Sequence, residues 1–236
     1  MQKYSKEQAI KIVVDCAKKY KKELNDKNIL IFCVNKQKQL SQIELSFSAS
    51  NYMHLTGLKM LPFVDENGRK RDFPASMFLD KCLKQKLSPD SFVFSEDGTT
   101  HKKLEILPLL ISKNLSAKMI GDYNSIQPKL STEKLAGNNI ACIGFVKTES
   151  DNIYVPNTVL KADIRDYTKD IARVIAVFRK DKQELYYSEC TYKANKFDWD
   201  SIKLQRQDEY LLDLFETQET DTVTTYNAPS FDFNMS

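Results

Sequence analysis

The chain has 236 residues, 42% hydrophobic and 11% aromatic, which is enough apolar surface for a packed core and excludes a chain disordered throughout. No apolar run approaches the roughly 18 residues that span a membrane. The opening Met1-Gln2-Lys3-Tyr4-Ser5-Lys6 leads into an amphipathic pattern rather than an export signal, so a cytoplasmic protein with no membrane partner is expected. The net charge of +3 hides an asymmetry: residues 207–236 hold seven acids and no base, leaving 35 Lys and Arg against 25 Asp and Glu in 1–206, a formal +10. A basic body suits a phosphate-rich partner, and equally a lysine-rich solvated surface.

Residues 5–24 read as a helix: Ser5 and Gln8 form a capping box, and Ala9, Ile10, Ile12, Val13, Cys16, Ala17 and Tyr20 share one face. Asn28–Val34 is a continuous apolar run, read as a buried strand. Gln39–Ser48 alternates as a half-buried strand, paired with it through Lys36-Gln37-Lys38. Residues 51–58 approach a turn at Gly57, and 59–73 look like a loop. A short helix over 74–86 starts at a proline, and 99–113 is helical with Pro108 expected to kink or split it. From 116 onward short β-type runs dominate, at 118–123, 141–147, 153–155, 173–180 and 185–191, with a short helix at 160–168. Residues 207–217 form a terminal helix pattern, and the acidic, Thr-rich remainder reads as disordered.

The order predicts an α+β fold, with N-terminal helices and a β-pair followed by a short, mostly antiparallel sheet. One domain over 1–200 is expected, divisible into 1–95 and 96–200, with an acidic tail over 201–236.

The five cysteines, Cys16, Cys33, Cys82, Cys142 and Cys190, are odd in number, widely spaced and without a CxxC pair. Buried reduced thiols fit better than disulfides or zinc, and neither a metal nor a cofactor is expected. Walker-type loops, GxGxxG, GxSxG and HExxH are missing, and no DxD-type acidic cluster stands in a convincing context.

The candidates for chemistry are few. His54 suits general acid–base work near neutral pH, or anchors a turn, and Thr56 beside it is a candidate substrate contact. Lys134, before Gly137-Asn138-Asn139, aims an ammonium at a phosphate or simply begins a hairpin turn. Asn157 and Thr158 contact a base edge or phosphate, or cap the helix at 160–168. Arg173 and Arg179, six apart on a strand, share a face by alternation, with Tyr187 on the next run; such a face holds a scissile phosphate or points to solvent.

The strings NYMHLTGL (51–58), PASMFLDKCLKQKLS (74–88), DGTT (97–100), KMIGDYN (118–124), KLAGNNIACIGF (134–145), YVPNTVLKADIR (154–165) and RVIAVFRK (173–180) occur in this order. Together they resemble the fourth phage and mobile-element branch of the barnase/EndoU/colicin/RelE-like nucleases, over roughly residues 5–192. The resemblance implies an RNase-type (barnase/RelE-like) domain, a toxin or effector role in phage–host conflict, and metal-independent chemistry on tRNA or mRNA that leaves 2′,3′-cyclic phosphates. Candidate status passes to His54, Lys134, Asn157 and Thr158, which lie in matching strings. His54 is then base or acid, and Lys134 and Arg173 stabilise the phosphorane. The competing expectation is an inactive inhibitor that grips a host defence nucleoprotein such as a CRISPR effector.

Overall fold

The computed structural model describes residues 4–124, 130–149, 152–202 and 204–218. Helix α1 (Lys6–Glu23) starts where expected: the Gln8 amide N–H donates to Ser5 Oγ at 3.2 Å, and the Ser5 N–H donates to Gln8 Oε1 at 2.8 Å. Strands β1 (Lys27–Val34) and β2 (Leu40–Phe47) pair antiparallel in register from Lys27/Phe47 to Val34/Leu40. Residues 51–58 prove largely helical: α2 (Ala49–Thr56) follows Ser48, and Gly57 ends it at φ 70°. The expected loop contains short ladders, β3 (Lys59–Met60), and β4 (Phe63–Val64) against β5 (Lys70–Arg71), whose turn is tied by Asp65 Oδ1 accepting from the Asn67 and Arg69 amides. Helix α3 (Ala75–Leu83) follows Pro74, and β6 (Phe92–Val93) pairs with β3. Helix α4 (Thr99–Leu110) is not split: Pro108 falls in its last turn, where the helix is about to end.

Strands β7 (Met119–Tyr123), β8 (Lys134–Gly137), β9 (Cys142–Lys147), β10 (Tyr154–Leu160), β11 (Thr168–Asp181) and β12 (Glu189–Lys193) complete the sheet. The α+β class holds, but the sheet is neither short nor open. The order β1-β2-β10-β9-β8-β7-β11 closes back onto β1, giving a seven-stranded barrel with β12 attached to β11. Every pairing is antiparallel except β2 with β10, which meet in parallel at Leu45/Tyr154. The N-terminal β-pair is thus part of the same sheet as the C-terminal strands, because β1 pairs with β11 over its whole length. The expected helix at 160–168 is replaced by the end of β10, a single 3-10 turn at Ile164–Asp166 and the start of β11. Asp163, not Asn157 or Thr158, caps that turn, its Oδ1 accepting from the Arg165 amide at 2.9 Å. Arg206–Gln218 is a 3-10 segment, and the tail from 219 lies outside the described residues.

Strand alternation separates three cores. The barrel interior (Ile29, Ile31, Leu45, Phe145, Val174, Val177) merges with the inner faces of α1 to α4. An aromatic chain links the layers: Phe78 to Tyr52 at 5.9 Å, Tyr52 to Tyr20 at 4.8 Å, Tyr20 to Phe47 at 6.4 Å and Phe47 to Phe145 at 6.2 Å. Outside the barrel, Leu30, Phe32 and Phe178 pack under Leu211 and Phe215 of the C-terminal segment. A third cluster joins Tyr123, Leu135, Cys142 and Ile164. All five cysteines are buried and unbridged.

The β8–β9 corner is the tightest point. A Cβ on Gly137 would stand 2.3 Å from the Ala141 carbonyl oxygen and 2.5 Å from Cys142 Cα, both backbone atoms that cannot swing away. Gly137→Ala is therefore expected to cost about 3 kcal/mol and to lower the melting temperature by roughly 10 °C, measured by thermal denaturation followed by circular dichroism. An unchanged melting temperature would contradict this packing.

Candidate functional site

The barrel is stopped at one end by the helices and open at the other. The open mouth is a cleft of about 910 Å³. Its walls are the β1–β2 hairpin tip, with Asn35, Lys36, Gln37 and Ser41, and the facing segment Thr168–Ala172 of β11. The gap exists because β11 pairs with β1 only from Arg173 onward, so the hairpin tip leans free of residues 168–172.

Lys134 enters this mouth by strand geometry. In β8, Leu135 faces the outer cluster and Ala136 the barrel interior, so Lys134 faces inward with Ala136. Asp122 is its cross-strand partner, and the two side chains form an ion pair. Lys134 Nζ also lies 5.6 Å from the centre of the Tyr154 ring. Lys36, Arg165 and Lys169 line the same cleft. Arg165 is engaged by Asp163, with Nε 3.0 Å from each carboxylate oxygen, whereas Lys36 and Lys169 are exposed and, among the described residues, form no ion pair. The mouth thus presents Lys36, Lys169 and the exposed Asp170 beside a held Lys–Asp pair.

The other sequence candidates sit elsewhere. His54 is exposed on α2 and lines a cleft of about 190 Å³ with Gly57, Lys59 and Lys103, not the barrel mouth. Its carbonyl accepts from Lys103 Nζ at 3.4 Å. His101 lies in a third cleft, against Phe94 at 4.7 Å, its Nδ1 accepting from the Tyr4 amide. Thr56 is fully buried, donating to the Met53 carbonyl at 2.8 Å and accepting from the Leu58 amide at 3.2 Å.

Asn157 is the extra residue of a bulge in β10, where register passes from Pro156/Phe145 to Thr158/Gly144. Its Nδ2 donates to the Ser131 carbonyl and its Oδ1 accepts from Thr132 Oγ1 at 3.1 Å, so its amide fastens the segment that leads into Lys134. Thr158 is buried, its Cγ2 filling the space beside Gly144.

Arg173 and Arg179 do not share a face. Phe32 pairs with Ala176 and Cys33 with Val174, leaving Ile175 as an extra residue. Ile175 and Ala176 both join the outer cluster, while Val174 and Val177 both face the barrel, so alternation flips between the arginines. Arg173 is exposed near the mouth. Arg179 is half-buried at the far end, where Nη1 lies 2.9 Å from Glu23 Oε2 and Nε donates to Glu189 Oε2 at 2.8 Å. Tyr187, ahead of β12, donates its hydroxyl to Glu44 at 2.7 Å; burial and that carboxylate push its pKa upward.

Of the residues that line the mouth, the sequence reading singles out Lys134 and passes over Asp122, Lys36 and Lys169. The available signal was alternation: had 134–137 been read as a strand, its pairing with KMIGDYN would have set Asp122 opposite Lys134. Among the described residues, no three His, Cys, Asp or Glu side chains converge as a metal site, and no helix is long and apolar enough to cross a membrane.

Residues 12–196 match the family described as phage-Barnase-EndoU-ColicinE5/D-RelE like nuclease4. The chain belongs to this family. The matched span contains the whole barrel and its mouth, and stops before the C-terminal segment that supplies Leu211 and Phe215 to the outer core. No curated protein and no solved structure matches the chain.

The Arg179 cluster has a pH signature. Burial draws the Glu189 carboxyl up, but Lys113 and Arg179 override it and hold it below the usual carboxylate range. A carboxyl depressed in the folded state stabilises the fold above its unfolded pKa, and that stability is lost as pH falls through the folded value. Arg179→Ala is expected to destabilise the protein by about 3 kcal/mol at pH 7, because Glu23 and Glu189 lose their shared cation, and to flatten the loss of stability below about pH 4.5. Urea titrations at pH 7 and pH 3.5 test both; a difference between wild type and variant that does not shrink at the lower pH would refute the assignment.

Proposed function

We propose that the protein cleaves RNA at the barrel mouth without a metal ion, as a phage effector acting in phage–host conflict. The observation that carries this reading is the cleft itself: in a chain of a nuclease-like family, the barrel mouth is lined by Lys36, Lys134 and Lys169 together with the carboxylates of Asp122 and Asp170. About 910 Å³ is ample for a nucleotide and its flanking phosphates.

In the proposed reaction, Asp122 takes the proton of a ribose 2′-hydroxyl and the 2′-oxygen attacks the adjacent phosphorus. The bond from phosphorus to the 5′-oxygen breaks as that oxygen takes a proton from the Lys134 ammonium, and solvent restores both groups. The products are a 2′,3′-cyclic phosphate and a 5′-hydroxyl. Lys36 and Lys169 balance the charge gained by the phosphorane. Arg173, at the lip, binds the strand rather than the scissile phosphate, and His54 takes no step.

A binding-only reading is favoured by one observation: no histidine lines the mouth. On that reading the same cations grip RNA or a defence nucleoprotein and nothing is cut.

Total bacterial RNA incubated with the protein in EDTA separates the two. Discrete fragments with cyclic phosphate ends are expected from wild type and from His54→Ala. Lys134→Ala and Asp122→Asn should lose about 10²–10³-fold in rate. Binding without cutting by folded wild type would establish the second reading, and loss in His54→Ala alone would move the chemistry to the α2 cleft.

A further inference from the structure

Strands β7 and β12 lie end to end along one edge of β11, and cations gather at their junction. Arg173 is opposite Met119, the Lys118 carbonyl accepts from the Val174 amide at 3.0 Å, and Lys193 is opposite Ala176. Lys118 and Arg173 are exposed and Lys193 is half-buried; among the described residues none of the three forms an ion pair. Lys118 Nζ stands 4.2 Å from the centre of the Tyr192 ring, and Lys193 Nζ stands 4.6 Å from that of Phe215. The acid nearest along β12, Glu189, is already taken by Arg179 and Lys113, so it does not neutralise the row. At the other end the row begins in the barrel mouth, at Lys169.

We propose that Lys169, Arg173, Lys118 and Lys193 form a track that carries single-stranded RNA from the mouth along the junction of β7 and β12 on β11; this rests on the nuclease reading of the mouth. From Lys169 to the position of Lys193 the row follows about 23 Å of strand, a length that serves several nucleotides. One line of cations matches one phosphate backbone. The half-buried Tyr192 ring, set among those cations, offers a stacking face that an unpaired base can use and a paired base cannot.

The test uses Lys118→Gln/Lys193→Gln, which keeps the aliphatic stems and removes two charges. A fluorescein-labelled 12-nucleotide RNA and a labelled trinucleotide are titrated by fluorescence anisotropy, the parent and the double variant being measured in the Lys134→Ala background so that RNA is not consumed. The 12-mer is expected to bind about tenfold more weakly at 0.15 M salt, with the slope of log affinity against log salt reduced by about 1.4, at ~0.7 per phosphate contact. Trinucleotide binding should not change. An unaltered 12-mer affinity, an equal loss for both lengths, or tighter binding of a 12-base-pair duplex than of the single strand would overturn the track. So would failure of the parent protein to bind the 12-mer. Length-selective loss in a protein that cuts nothing would keep the track and remove only the cleavage reading.

Discussion

Backbone hydrogen bonding along β11 holds the fold together. Its 14 residues serve three partners: β1 along one edge, and β7 then β12 in succession along the other. Removing β11 would leave β1 and β7 as open edges and the barrel as an unclosed ribbon, with unpaired amides and carbonyls on both sides. Such a strand cannot be straight. It passes from the wall of the mouth to a position beneath the C-terminal segment, and the extra residue at Ile175 provides the bend. The same bulge sends Arg173 outward to the lip and turns Arg179 toward the end of α1. One local irregularity thus divides an exposed cation from a structural one.

The barrel also explains why the charged groups lie where they do. Its interior is packed at the helical end by the fully buried Tyr20, Tyr52 and Phe78. Polar side chains can occupy inward-facing positions only at the opposite end, where water reaches them. Lys134 and Asp122 are the last inward residues of their strands, and each satisfies the other. An inward strand position at a barrel rim keeps this pair hydrated and fixed.

Much of this was legible in the sequence. The capping box at Ser5, the β1–β2 hairpin and the apolar core of β11 all follow from local patterning, and the α+β class follows from their order. The ordered strings also pointed to the family that residues 12–196 match. Closure of the barrel was not legible, because pairing between β1 and β11 joins residues some 150 positions apart and local periodicity carries no register. The four-residue β8 hid behind the turn that follows it, and with it went Asp122. Alternation placed Arg173 and Arg179 together because a bulge leaves no trace in residue spacing. His54 drew attention through its chemistry alone, and chemistry does not report location.

The buried thiols give this protein a set of built-in reporters. Burial pushes Cys16, Cys82 and Cys142 up to about 12, Cys190 to about 11, and Cys33 upward as well. At neutral pH almost none is thiolate, so an alkylating reagent finds a target only when the surrounding structure opens. The five lie on α1, α3, β1, β9 and β12. The order in which they become labelled is therefore a map of which walls of the barrel breathe, obtainable from the natural sequence without introducing a single probe.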